Sequence, residues 1–252
     1  MEDSPLVVGI DVAASRPSVV VALQGDRRRL DVVAWREVDE REPGDRARCF
    51  QWLETLAPVA VAVAAAQRPR RATAESPARV ADAQLLRRRI AVTPAPTRAQ
   101  AERGGPRTAH IQTGWAYFRD LRGYGFESPA ANVLPGALGQ APSALEVYPH
   151  AGFVTLLGGT PPSKATREGL RLRVATLRRL GVRWDEYYDA ASLDALMAAF
   201  TAWRFVQGLA TSLGDDRQGR VWLPVTASDL RDTYAPLSSS AARDALASIQ
   251  PR

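Results

Sequence analysis

"LVVGIDVAASRPSVVVALQGDRRRLDVVAWREV", residues 6–38, contains three apolar segments separated by short polar turns. Residues 6–13 form a nearly continuous apolar run, and residues 17–23 and 30–38 are rich in valine, which favours β-strands. Because connections this short join antiparallel neighbours, the stretch predicts a three-stranded antiparallel meander at the start of the chain.

The rest of the chain alternates helices with strands. Helices are expected at 45–56, 79–89, 107–121, 165–180 and 192–208, and strands at 59–66 and 143–148, with a terminal strand or extended segment at 220–225. The run at 59–66 is apolar throughout, which indicates a central strand parallel to the first. This order, β-β-β-α-β-α-β-α, predicts an α/β fold of the RNase H-like type, with a mixed five-stranded sheet flanked by helices. Actin-like ATPases duplicate the same core.

One domain is expected over residues 1–235. Residues 67–122 are its Arg/Pro-rich helical insert, and the Ser/Ala-rich residues 236–252 are expected to form a flexible tail. No apolar stretch reaches membrane-spanning length, and the N-terminus lacks the features of a signal peptide, so a cytoplasmic protein is expected.

The charge composition favours an anionic partner. The net charge is +6, and the 33 Lys and Arg residues include a single lysine, Lys164. Arginine excess can reflect a GC-rich genome, so Lys164 is retained either by chance or because its site needs a compact, flexible charge. One cysteine, Cys49, and two histidines, His110 and His150, leave too few ligands for a Cys- or His-based metal centre. A metal site would therefore use carboxylates, which suit Mg²⁺ or Mn²⁺.

Three acids are candidate ligands. Asp11 ends the first strand, where RNase H-like folds carry a metal ligand, although it can equally cap the following turn. Glu146 ends the strand at 143–148; in such a sheet this strand lies near the first, so the two carboxylates can approach one another. The alternative is a Glu that reaches water at the end of its strand.

Asp194 lies in the apolar helix 192–208, beside a row of small residues that would let the helix lie close to the sheet. The alternative to a ligand role is that Asp194 is a residue of the first helical turn after a Ser192 N-cap, where the helix dipole favours a negative charge. Together, Asp11, Glu146 and Asp194 predict a catalytic site for one or two Mg²⁺ or Mn²⁺ ions.

Lys164 and the arginine-rich helix after it are candidates for contacting a phosphate backbone, through Arg167 and Arg171. An ordinary solvated helix face is the alternative for the two arginines.

The segments "VVGIDVA", "VAVAAAQRP", "LEVYPHAGF", "SLDALMAAFTAW" and "GDDRQGRVWLP" occur in this order over residues 6–225. In this combination the chain resembles the domain of unknown function 429 family of predicted RNase H-like nucleases, which is distantly similar to RuvC-type resolvases. The resemblance implies a metal-dependent nuclease that acts on DNA or RNA, with Asp11, Glu146, Asp194 and Lys164 at matching positions.

Two departures from the family pattern concern carboxylates. Ala64 lies where the fourth strand of the family ends in an acid, and Ala191 stands where the last helix of RuvC-type enzymes has the first acid of a pair. Two hypotheses from different classes therefore stay open: a metal-dependent nuclease with a reduced or degraded site, and a non-catalytic nucleic-acid-binding or scaffold protein. A third hypothesis is an actin-like phosphotransferase, which is disfavoured because no Gly-rich phosphate loop accompanies Asp11.

Overall fold

The computed structural model describes residues 4–71, 77–130, 141–185 and 188–248, which form an α/β fold around one eight-stranded sheet. The strands are β1 (Leu6–Asp11), β2 (Ser18–Gly25), β3 (Leu30–Val38), β4 (Ala60–Val63), β5 (Ser143–Val147), β6 (Val182–Arg183), β7 (Thr211–Asp215) and β8 (Gly219–Leu223). The helices are α1 (Asp45–Leu56), α2 (Val80–Arg87), α3 (Arg98–Glu102), α4 (Pro106–Gly123), α5 (Pro149–Leu157), α6 (Arg167–Arg179), α7 (Ala190–Val206) and α8 (Ser239–Ser248).

The strand order is β6-β3-β2-β1-β4-β5-β8-β7. Strands β1, β2 and β3 pair antiparallel, which confirms the predicted meander, and β4 and β5 continue the sheet parallel to β1. The central order β3-β2-β1-β4-β5 is that of the RNase H-like fold, so the predicted fold class is confirmed. The predicted strand number of five is too small, because β6 extends one edge and the antiparallel pair of β8 and β7 extends the other.

Side chains alternate between the two faces of the sheet. On one face, which we call the α7 face, Val7 and Leu145 pack with the apolar side chains of α7. On the other, the α1–α4 face, Ile10 and Val63 pack with apolar side chains of α1 and α4. Both faces are therefore covered, which explains why β1 and β4 are apolar almost throughout.

Helix α7 lies directly on β1 because Gly9 has no side chain. A Cβ atom on Gly9 would be 2.1 Å from the carbonyl oxygen of Ala195 and 2.2 Å from the amide nitrogen of Ala199. Ala195 and Ala199 have small side chains and therefore also allow this close approach. This contact fixes α7 against the strand that carries Asp11.

The predicted helical insert is built into the same layers as the rest of the fold. Helix α2 packs through Ala81 and Leu85 with residues of β7 and β8, and α4 packs against β4 and β5. In the C-terminal segment, where a flexible tail is expected, α8 packs against α5 and α6, and its Ala242 is buried. Across the described ranges, no helix is both long enough and apolar enough to span a membrane.

Candidate functional site

The register of the sheet places Glu146 and Asp11 on opposite faces. Ile10 of β1 lies beside Val63 of β4, and Val63 lies beside Glu146 of β5. Residues in register across parallel strands share a face, and the next residue along a strand lies on the other. Glu146 is therefore on the α1–α4 face and Asp11 on the α7 face. The prediction that these two carboxylates approach one another is therefore wrong.

Asp11 and Asp194 come together on the α7 face. Asp194 directly precedes Ala195, which lies against Gly9, two residues before Asp11. Both carboxylates are buried. Burial, followed by repulsion from Asp194, raises the pKa of Asp11 to about 7, and burial also raises the pKa of Asp194. Two negative charges held this close in a buried site repel one another, which favours a cation beside them.

The N-terminus of α7 does not account for Asp194. Asp189, rather than the expected Ser192, is the N-cap, and its carboxylate accepts a 2.8 Å hydrogen bond from the backbone N–H of Ser192. Asp194 lies beyond the first turn, and its carboxylate accepts a hydrogen bond from Lys164. The alternative of a dipole-stabilised residue in the first turn is therefore not supported.

Each of the two carboxylates is paired with a cation. The guanidinium of Arg16 donates to Oδ2 of Asp11, and the ammonium of Lys164 donates to Oδ2 of Asp194. The side chains of Arg16 and Lys164 are 43% and 50% exposed, whereas those of the two aspartates are 10% and 8% exposed. The site therefore combines fixed, buried anions with cations that reach them from solvent.

The turn that carries Lys164 is held rigidly at the start of α6. The hydroxyl of Thr166 donates 2.8 Å to the carbonyl of Ser163 and accepts 3.1 Å from the backbone N–H of Gly169. A Cβ on Gly169 would lie 2.0 Å from the Ser163 carbonyl and 2.6 Å from that of Pro162. Glycine is therefore required there for the turn to lie against the helix.

Arg173 anchors the same turn from inside the protein. It is 2% exposed, and its Nη1 donates 2.9 Å hydrogen bonds to the carbonyls of Pro162 and Gly169. Its guanidinium lies 5.2 Å from the centre of the Phe153 ring. No carboxylate of the described residues lies within ion-pair distance of Arg173, and its Nε has no hydrogen-bond partner among them. Burial lowers the pKa of Arg173, and the charge of Asp194 opposes that shift.

Glu146 belongs to a second, separate cluster of charges. Its carboxylate accepts hydrogen bonds of 2.5 and 2.9 Å from the guanidinium of Arg79, and one of 2.7 Å from the backbone N–H of Gln67. Arg79 also pairs with Asp82, and all three charged side chains are buried. The cluster joins β5 to α2, and because Glu146 is buried within it, the alternative of a Glu that reaches water at its strand end is not supported.

Arg167 and Arg171 are exposed on α6, where they line a groove shared with Ala242 of α8.

Sequence reasoning missed Arg16, Arg79 and Arg173, which it treated as part of the general arginine excess. For Arg173 a signal was present, because helical periodicity places it on the inward face of α6, four residues before the buried Leu177. The sequence held no comparable signal for Arg16 or Arg79.

A family model described as "Protein of unknown function (DUF429)" matches residues 9–219. The chain belongs to this family. Among solved structures, T. thermophilus RuvC in complex with Holliday junction substrate is similar at 14% sequence identity, with a TM-score of 0.43; the match covers 81% of this chain and 96% of that one. No curated protein sequence matches the chain.

The carboxylate pair of this DUF429 protein fits one divalent ion. Mg²⁺ is commonly held by one or two carboxylates, with water and phosphate oxygens as its other ligands. A cation between Asp11 and Asp194 would also relieve their repulsion. A site for two ions does not fit, because Ala64 supplies no carboxylate and Glu146 is held by Arg79 on the other face. In the parts of the chain that the structure describes, no three His, Cys, Asp or Glu residues form a metal-binding group.

Proposed function

We propose that the protein is a divalent-metal-dependent nuclease in which Asp11 and Asp194 hold a single Mg²⁺ or Mn²⁺ ion. The observation that carries this proposal is the pair of buried, mutually repelling carboxylates that β1 and α7 hold on one face of the sheet. When bound, such an ion stabilises negative charge on a phosphate and makes a bound water more acidic.

The chain's own residues would bind and orient the nucleic acid. Lys164 and Arg16 are half-exposed, so their charged groups can reach a phosphate that approaches the carboxylate pair. Arg167 and Arg171 follow Lys164 on exposed turns of α6 and would extend this contact along the backbone. The net charge of +6 favours the same partner.

Glu146, which the sequence pattern suggested as a third ligand, has no place in this proposal. Its two oxygens already accept three hydrogen bonds. If the Glu146 carboxylate turned from Arg79 to a metal ion, the buried guanidinium would keep only Asp82 as its partner. Glu146 instead joins β5 to Arg79 at the start of α2.

The test is cleavage of labelled single-stranded, duplex and branched DNA and of RNA, with Mg²⁺, with Mn²⁺ and with EDTA. We expect cleavage of at least one substrate that EDTA abolishes, and that Asp11→Asn and Asp194→Asn each abolish. Asp31→Asn is the matched control, because Asp31 is a partly exposed carboxylate on β3 that pairs with Arg29. Metal-dependent cleavage that survives both Asp11→Asn and Asp194→Asn would overturn the proposal.

A second candidate is a non-catalytic nucleic-acid-binding protein. Ala64 favours it, since this position lacks a carboxylate that would complete a larger metal site. This candidate predicts nucleic-acid affinity that is the same with Mg²⁺ and with EDTA at constant ionic strength, and no cleavage under any condition. Affinity must be compared at one salt concentration, because phosphate contacts are strongly salt-dependent.

A further inference from the structure

The candidate site contains its own counter-ions. Two negative carboxylates, Asp11 and Asp194, are matched by two positive side chains, Arg16 and Lys164. Each carboxylate thus already has a cation as partner before any metal arrives. A divalent ion that binds the same oxygens must displace at least one of these cations from its carboxylate.

We propose that Lys164 is an internal competitor for the cation site, so that divalent ions bind more tightly when a phosphate group draws the ammonium away from Asp194. This inference rests on the proposed function and concerns the regulation of the same site. Arg16 would play the same part for Asp11. Nucleic acid would then itself strengthen metal binding at the site.

The structure separates the part of Lys164 that can move from the part that cannot. Its backbone follows the carbonyls of Pro162 and Ser163, which Arg173 and Thr166 hold by hydrogen bonds of 2.9 and 2.8 Å. Its side chain is half-exposed and flexible. The ammonium can therefore swing between Asp194 and an incoming phosphate without any rearrangement of the turn.

Arg173 supplies a positive charge that stays when Lys164 leaves. It is close enough to Asp194 to influence its pKa, yet it is held by backbone carbonyls and the Phe153 ring rather than by a carboxylate. Departure of the ammonium therefore does not leave Asp194 without a positive neighbour. This lowers the cost of exchanging Lys164 for a metal ion.

The proposal requires that metal and phosphate promote each other's binding. Each takes one partner of the ion pair between Lys164 and Asp194, so whichever binds first frees the partner that the other needs. Thermodynamic linkage makes the effect reciprocal, with the same factor in both directions. We expect a factor of about three to five, because relief of the competition cannot return more than the ion pair costs.

The test is calorimetric titration of Mn²⁺ into wild type and Lys164→Met, each alone and with a saturating short phosphorothioate oligonucleotide. Without the oligonucleotide, Lys164→Met should bind Mn²⁺ about three- to fivefold more tightly, the upper part of the range that a partly exposed ion pair supplies. The oligonucleotide should tighten Mn²⁺ binding in wild type and much less in the variant. Arg122→Met, which removes an exposed charge from the last turn of α4, should behave as wild type.

The outcomes distinguish this proposal from the proposed function. Equal or weaker Mn²⁺ binding by a folded Lys164→Met overturns the competition. Binding by Lys164→Met, with none by wild type even when the oligonucleotide is present, overturns both the relief by phosphate and a metal-dependent activity of the natural protein. Because a tighter-binding ligand stabilises the folded state more, the melting temperature of Lys164→Met should rise more on adding Mn²⁺ than that of Arg122→Met. Equal rises would contradict the proposal.

Discussion

Gly9 and Ala195 hold the candidate site together although neither takes part in its chemistry. The position of a Cβ on Gly9 would be 2.1 Å from the Ala195 carbonyl oxygen, so β1 and α7 are in backbone contact. Gly9 lies two residues before Asp11, on the same face, and Ala195 follows Asp194 directly. The distance between the two carboxylates is therefore set by a contact that only glycine permits.

Gly9→Ala should destabilise the fold by about 3 kcal/mol, the upper end of the usual cost of overpacking, because the added methyl meets backbone that cannot rotate away. Chemical denaturation measures this. Gly123→Ala is the control: a Cβ on Gly123, at the end of α4, has no neighbour within 4 Å. That variant should be neutral or more stable by up to about 1 kcal/mol, the difference in helix propensity. Similar effects of the two substitutions would show that α7 does not need this close contact.

The buried cluster of Arg79, Glu146 and Asp82 makes a separate prediction. Arg79→Met leaves two buried carboxylates without their shared cation, so the free energy of unfolding should fall by about 3–5 kcal/mol. Arg29→Met breaks the exposed pair with Asp31 and should cost less than about 1 kcal/mol. Denaturant unfolding of both variants provides the comparison. A loss below about 1 kcal/mol for Arg79→Met would mean that the cluster does not join β5 to α2.

His150 makes stability depend on pH. Burial, followed by the charges of Arg173 and Lys164, lowers the pKa of its imidazole to about 4. Between this value and the unfolded pKa of about 6.5, the unfolded chain binds more protons than the folded one. Stability is therefore complete above about pH 6.5 and declines as the pH falls towards 4, by about 2 kcal/mol after allowance for partial exposure.

His150→Asn removes this titration. The stability difference between wild type and His150→Asn, measured by urea unfolding at a series of pH values, should change in this window and be constant above it. A difference that is independent of pH from about 4 to 7 would contradict the assignment, because His150 then has the same pKa in both states.

The sequence was a good guide to the central fold. The valine-rich segments and short turns of residues 6–38 predicted β1, β2 and β3, and the apolar run at 59–66 predicted β4. It was a poor guide to the edges of the sheet. Strand β6 has two residues, and β7, "TSLGD", lacks an alternating apolar pattern, so periodicity could not detect either.

The site was predicted only in part because the partner of a buried charge depends on the register of the sheet. Asp11 and Asp194 could be chosen from their elements, and Lys164 from being the chain's one lysine. The face of Glu146 relative to Asp11 depends on how β1, β4 and β5 align, and a shift of one residue would reverse it. The pairing of Glu146 with Arg79 also joins residues 67 positions apart, which local patterns do not reveal.

The most direct test of the central claim is a calorimetric Mn²⁺ titration of wild type, Asp11→Asn, Asp194→Asn and Glu146→Gln, with circular dichroism to confirm that each variant is folded. The account predicts that wild type and Glu146→Gln bind one ion per chain and that both aspartate variants lose it. Loss of binding in a folded Glu146→Gln, or wild-type affinity in Asp11→Asn, would contradict a site built by Asp11 and Asp194.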